Sequence, residues 1–131
     1  MRVLIIFFVF LLFGQVATAS SLSKETHKLD GKEITYLYTS GRSYHVKFTP
    51  KGISYQYLTG TSPSSWWGPF PYTAFEVYPN VYMASWYEKG YGDHVTLLID
   101  FNKKILYGSA LIVTKEKNIL HFHGAEIEKI K

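Results

Sequence analysis

The chain has 131 residues, a formal net charge of +4, no cysteine, and an 18% share of Phe, Trp and Tyr. That length suits one hydrophobic core and not comfortably two, and the lack of cysteine excludes thiol catalysis, thiolate metal sites, disulfides and a lipobox-type lipid anchor. The lysines are spread along the chain and densest near its C-terminus, which argues for solubility and against a nucleic-acid groove, where basic residues cluster.

Residues 1–19 have the layout of a secretory signal. Arg2 supplies a basic start, Val3 to Phe13 form an apolar run, and Ala17-Thr18-Ala19 form a small-residue cleavage site. The run is shorter than the roughly 20 residues a membrane-spanning helix needs. We therefore expect cleavage before Ser20, no stable membrane anchor afterwards, and a periplasmic or secreted protein. About 110 residues then remain, enough for a single domain.

Residues 20–32 are polar and lack a clear period, which predicts a lead-in segment carrying a short turn. From Glu33 onward the pattern has a period of two and defines one domain over residues 33–131. Ile34, Tyr36 and Tyr38 alternate with Thr35, Leu37 and Thr39; Ser40-Gly41 makes a turn into Tyr44 to Phe48. Thr49-Pro50-Lys51-Gly52 has tight-turn chemistry, and Ile53, Tyr55 and Tyr57 continue the alternation. Between Gly60 and Pro71 the pattern breaks at Pro63, Pro69 and Pro71, which predicts a loop or a short edge segment. Further strands are expected over residues 72–78, 81–88, 94–100, 105–113 and 119–127, divided by Pro79-Asn80, by Lys89 to Gly92, by Asn102-Lys103-Lys104 and by the charged tip Lys115 to Asn118.

About eight or nine short strands with short connections and no helical stretch predict an all-β fold, and an up-and-down barrel above a sandwich. Barrels of about eight strands have an interior filled by side chains or sized for one small ligand.

The chemistry-bearing residues follow from the alternation. Tyr36 and Tyr38 share a face, and so do Trp86 and Glu88. Two phenols, an indole and a carboxylate inside a barrel suit an aromatic or carboxylated ligand, whereas solvent-facing positions would make them ordinary surface residues. The face of Val81, Met83, Ser85 and Tyr87 competes with that of Trp86 and Glu88 for the interior, and periodicity does not choose between them. Trp66-Trp67 has adjacent indoles pointing to opposite sides of an extended segment, so one of them suits a ligand lid or a partner surface. His121 and His123 have the spacing of a strand-borne metal pair, with Asp93 and His94 as further donors, but no third ligand is identifiable by spacing. We expect these histidines on a solvated face, and neither metal nor cofactor. No phosphate loop, nucleophile elbow or Ser-His-Asp ordering is present.

The run Tyr36-Leu37-Tyr38-Thr39-Ser40-Gly41, then Tyr55, Gly60, Trp66 and Val81-Tyr82-Met83-Ala84-Ser85-Trp86-Tyr87-Glu88, resembles the bacterial phenolic acid decarboxylases and the related MoaF-like proteins of the calycin group. Asp93, Val95 to Leu97, Asn102 to Lys104 and Gly108 extend the likeness, which spans Ile34 to Leu111. The resemblance implies a lipocalin-like barrel. It also implies active-site roles for Tyr36, Tyr38 and Glu88, beside a tryptophan matching Trp66 that an arginine precedes in the decarboxylases. Here that preceding residue is Ser65. The chain also ends soon after its last expected strand, where those enzymes carry an extension, and it bears an export signal where they are cytoplasmic.

These departures favour a MoaF-like domain that binds a small ligand, a phenol among the candidates, through Tyr36, Tyr38, Trp66, Trp86 and Glu88. The enzymatic alternative is a cofactor-free decarboxylase-like lyase using Tyr36, Tyr38 and Glu88. A third reading is a protein-interaction module that uses the Trp66-Trp67 loop.

Overall fold

A computed structural model describes residues 21–131, so the expected signal segment lies outside the described residues. Among these residues nine antiparallel strands follow one another: β1 (Glu33–Tyr38), β2 (Ser43–Thr49), β3 (Gly52–Tyr57), β4 (Trp66–Phe70), β5 (Tyr72–Tyr78), β6 (Val81–Glu88), β7 (Asp93–Asp100), β8 (Ile105–Val113) and β9 (Asn118–Ile130). They form one sheet in the order β4-β3-β2-β1-β9-β8-β7-β6-β5. The pairing of β1 with β9 curls this meander into a nearly closed, lipocalin-like barrel. Among the described residues no helix is long and apolar enough to cross a membrane.

The segment expected to be a loop or short edge contains β4, and its prolines explain its brevity. β4 runs antiparallel to β3, and β5 runs antiparallel to β6. Since β3 and β6 point the same way in the meander, so do β4 and β5. They are two halves of one long strand that changes partner at Pro71. Proline has no N–H to give a ladder, so the exchange occurs where the ladder cannot continue. Gly68 makes the approach to β3 possible. It has φ 103°, and a Cβ there would stand 2.5 Å from the Ile53 carbonyl oxygen.

Alternation sorts the interior into two halves. At one end, the base, Ile34, Phe48, Ile53, Ile99 and Leu106 are fully buried, and each such side chain contributes about 1.5–3 kcal/mol of burial. At the other end, the mouth, the inward positions are mostly polar: Tyr38 of β1, Tyr44 of β2, Tyr57 of β3 and Glu88 of β6.

The lead-in does more than carry a turn. Glu25 bridges Phe75, and the Thr26 N–H donates to the Ala74 carbonyl at 2.8 Å. It thereby covers the free edge of β5, an edge that would otherwise expose unpaired backbone groups. Lys28 pairs with Glu76 at 3.1 Å, and the Tyr72 hydroxyl donates to Asp30. Leu29, 0% exposed, inserts into the base as part of the core.

Candidate functional site

The β6 alternation resolves toward the even-numbered face. Tyr82, Ala84, Trp86 and Glu88 are buried, while Met83 and Tyr87 are exposed. Each inward residue of β6 sits beside an inward residue of β7, as with Trp86 and Val95 or Ala84 and Leu97. The sheet therefore has one consistent apolar face, and Glu88 belongs to it as its last member before the turn.

Glu88 is 2% exposed. A buried carboxylate is costly unless it is hydrogen-bonded, and both of its oxygens are. Trp86 Nε1 donates to Oε1 at 3.1 Å, a contact available because residues two apart on a strand share a face. The Tyr55 hydroxyl donates to Oε2 at 2.9 Å from β3, across the barrel. Burial raises the Glu88 pKa above the ordinary carboxylate value, the bonds from Trp86 and Tyr55 oppose that rise, and the charge of Asp93 adds to it.

A cavity of about 60 Å³ lies beside this carboxylate, opening toward the mouth. Its walls hold five phenols, those of Tyr36, Tyr38, Tyr44, Tyr55 and Tyr57, together with Trp86, Glu88 and Asp93, and with Val95 and Ala110 on the apolar side. The rings support one another. Tyr36 stacks on Tyr44 at 5.6 Å between centroids, and Tyr38 meets Tyr36 edge-on at 5.2 Å. Burial pushes the Tyr36 hydroxyl well above its usual pKa, with Tyr38 and Tyr44 adding to the shift. Tyr38 is pushed up to about 12, again chiefly by burial. Both are neutral donors at physiological pH.

Tyr38 owes its position to a residue without a side chain. Gly108 faces it from β8, and a Cβ there would lie 2.0 Å from the Tyr38 hydroxyl oxygen. A strand glycine in a sheet interior commonly marks close approach of another group, and here that group is a phenol.

Above the inner cavity lies a wider cleft of about 630 Å³, lined by the β1–β2 turn with Arg42, by Thr59 to Ser62 of the β3–β4 loop, and by Trp67. Tyr57 belongs to both spaces and forms the partition between them. Trp67 packs edge-on against Tyr57 and Tyr91 at 6.4 and 5.1 Å. Its Nε1 is buried and has no hydrogen-bond partner among the described residues.

The model of the MoaF-like family matches residues 30–126. The chain belongs to the MoaF-like family. The sequence matches no curated protein at a significant level. Among solved structures, this MoaF-like chain is similar to one from Burkholderia vietnamiensis, provisionally described as a beta-lactamase. The identity is 17% and the TM-score 0.64, with 76% of this chain and 93% of that one covered. At that identity the likeness shows the fold alone.

Of the five expected ligand-binding residues, the MoaF-like barrel brings Tyr36, Tyr38, Trp86 and Glu88 together around the cavity. Trp66 is a correction. It lies on the outer surface, 43% exposed, packed edge-on against His45 at 5.1 Å and under the Lys47 ammonium at 4.4 Å. Trp66 pairs with Gln56 and Trp67 with Tyr55, so the register gives the inward position to Trp67.

The histidine pair is a second correction. His121 pairs with Ala110 and His123 with Gly108, both inward positions, so the two imidazoles face the mouth and are half-buried rather than solvated. Burial lowers the His121 pKa, with Arg42 and His123 adding to the shift. His94 faces outward and bonds Ser85. Among the described residues no group of three or more His, Asp or Glu is placed to hold a metal ion.

Sequence reasoning left Tyr44, Tyr57, Asp93 and Arg42 out of the site, and gave Tyr55 no role in it. A signal existed for three of them: Tyr44 shares parity with Val46 and Phe48, and Tyr55 and Tyr57 share it with Ile53.

Proposed function

We propose that this MoaF-like domain is an exported small-molecule-binding protein whose barrel grips the polar head of an aromatic or carboxylated compound. The observation that carries this reading is a buried, doubly hydrogen-bonded Glu88 at the wall of a mouth-facing cavity ringed by five tyrosines. A filled structural core would use apolar residues there, as the base of the same barrel does. Buried polar groups in a cavity with an opening are instead the usual make-up of a ligand site.

The volume decides how a ligand sits. About 60 Å³ is room for about two waters, which is the size of a hydroxyl, amine or similar head and too small for a substituted ring. The body of the ligand then occupies the mouth cleft between Trp67 and the β1–β2 turn. Tyr36, Tyr38 and Glu88 orient the head, and Trp86 supplies an apolar wall.

One observation favours a second reading, a decarboxylase-like lyase. Burial makes Glu88 easier to protonate than an ordinary carboxylate, which suits a residue that transfers a proton. Ser65, where the decarboxylases have arginine, leaves that reading without its second polar anchor.

Tryptophan-fluorescence titration with a panel of phenols and aromatic acids, on the wild type and on Glu88→Gln, tests the binding reading. Saturable quenching that weakens at least several-fold in the variant supports it. A panel without any saturable response counts against it, and turnover of any panel member that Glu88→Gln abolishes would move the assignment to the lyase.

A further inference from the structure

We infer that the mouth cleft is a carboxylate subsite centred on Arg42, so that the barrel selects ligands with a hydrogen-bond donor at one end and a single negative charge at the other. This rests on the binding reading above and specifies the ligand's polarity.

The first argument is charge segregation. Both carboxylates of the site, Glu88 and Asp93, line the inner cavity, and among the described residues no Lys or Arg does. The cleft has the reverse character: among the described residues Arg42 lines it and no Asp or Glu does. Arg42 is one of only two arginines in the sequence, the other being Arg2. An anionic head would meet two carboxylates inside, whereas a donor head finds acceptors there and leaves an anionic tail to face Arg42. Charged groups arranged in this way reject the reversed orientation as well as favour the correct one.

The second argument is the donor set. Around Arg42 the cleft is lined by the hydroxyl-bearing Ser40, Thr59, Thr61 and Ser62 and by Tyr57, side chains able to donate to a carboxylate. Arg42 also acts on the site electrostatically. Burial raises the Tyr44 phenol, and the Arg42 guanidinium opposes that rise.

The third argument is valence. Among the described residues the cleft is lined by one guanidinium and no second cation, which matches one negative charge. A planar carboxylate fits the guanidinium fork in a bidentate manner, while a doubly charged phosphate would leave half its charge uncompensated.

The test compares 4-hydroxyphenylacetate with its primary amide, which keeps the donor head and removes the charge. Affinities are measured on the wild type, Arg42→Gln, and Lys47→Gln, the last a control for net charge because Lys47 lies over Trp66 outside the barrel. We expect the wild type to bind the acid about tenfold more tightly than the amide, about 1.4 kcal/mol. Arg42→Gln should bring the ratio near one by weakening the acid far more than the amide, and Lys47→Gln should preserve it. Added salt should reduce the acid's advantage. Equal binding of acid and amide by the wild type, or an acid preference that survives Arg42→Gln, overturns the subsite alone. If neither compound binds while another member of the panel does, the subsite falls and the binding reading stands; if no member of the panel binds, both fall.

Discussion

The Tyr55 hydroxyl reaches the Glu88 carboxylate at 2.9 Å, linking β3 to β6, two strands that are not neighbours in the sheet. Between them runs the strand that breaks at Pro71. The bond therefore crosses the place where the ladder is discontinuous, next to the Trp67, Phe70 and Tyr91 rings that fill the same seam. Hydrogen bonds to charged groups contribute about 1.5–3 kcal/mol, so Tyr55→Phe should destabilise the fold by about that amount at neutral pH. Denaturant unfolding measures it. Combined with Glu88→Ala, which removes both acceptor oxygens, in a double-mutant cycle, the two effects should be non-additive; strict additivity would mean the contact is energetically idle.

Glu88 also predicts a pH dependence. Its folded-state pKa is raised, so the folded protein holds the proton more tightly than the unfolded chain does. The stabilisation from that proton is complete below the ordinary carboxylate pKa of about 4.3 and is lost as pH rises through the folded value. Glu88→Gln removes the titration. Its amide can turn its oxygen to Trp86 and its NH₂ to the Tyr55 oxygen, since a phenol accepts as well as donates. The variant should therefore gain stability relative to wild type as pH rises from 4 to 7. A melting-temperature difference that stays flat over that range would contradict the raised pKa.

Period-two alternation made the strands legible, because each has one face on a core that is apolar over most of its length, and it placed Tyr36 with Tyr38 and Trp86 with Glu88 correctly. What it could not provide was the absolute face. On β6 the odd set contains Val81 and Met83 and is nearly as apolar as the even set, so only pairing with Leu97 and Ile99 on β7 selects the interior. Trp66 and Trp67 failed for a related reason. Strand parity there depends on the register irregularity between Ile53 and Tyr55 opposite β4, a non-local feature. His121 and His123 were misplaced because Leu120 and Phe122, the apolar members of that stretch, point outward at 67% and 69% exposure. Arg42 stands alone in its turn, and only the closure of β1 against β9 brings that turn over the mouth.

Gly108 is the residue on which the placement of Tyr38 depends. Gly108→Ala would put a methyl group 2.0 Å from the phenol oxygen and 3.1 Å from Leu97 Cδ2. The Tyr38 ring is held by Tyr36, Tyr44 and His123, so it cannot swing away freely. Overpacking of this kind costs about 1–3 kcal/mol. Removing the hydroxyl should recover part of that loss, so Tyr38→Phe combined with Gly108→Ala is expected to be more stable than Gly108→Ala alone. If the second change instead adds to the damage, the hydroxyl is not what occupies the space above Gly108.

Leu29 tests whether the lead-in is part of the barrel. It is 0% exposed, in the same core cluster as Ile34 and Phe48, and the turn that carries it is fixed by the Gly31 N–H donating to the Phe48 carbonyl at 2.8 Å. Truncating such a leucine leaves a cavity and costs about 2–5 kcal/mol, so Leu29→Ala should lower the unfolding free energy by that amount. The neighbouring Lys28→Ala breaks only a surface pair with Glu76, and such pairs are worth about 0–1 kcal/mol. Because the plug sits at the base and the cavity at the mouth, Leu29→Ala should leave ligand affinity unchanged wherever the protein remains folded. A parallel loss of affinity and stability would show instead that base packing sets the geometry of Tyr36 and Glu88. Comparing binding well below the variant's melting temperature separates the two outcomes.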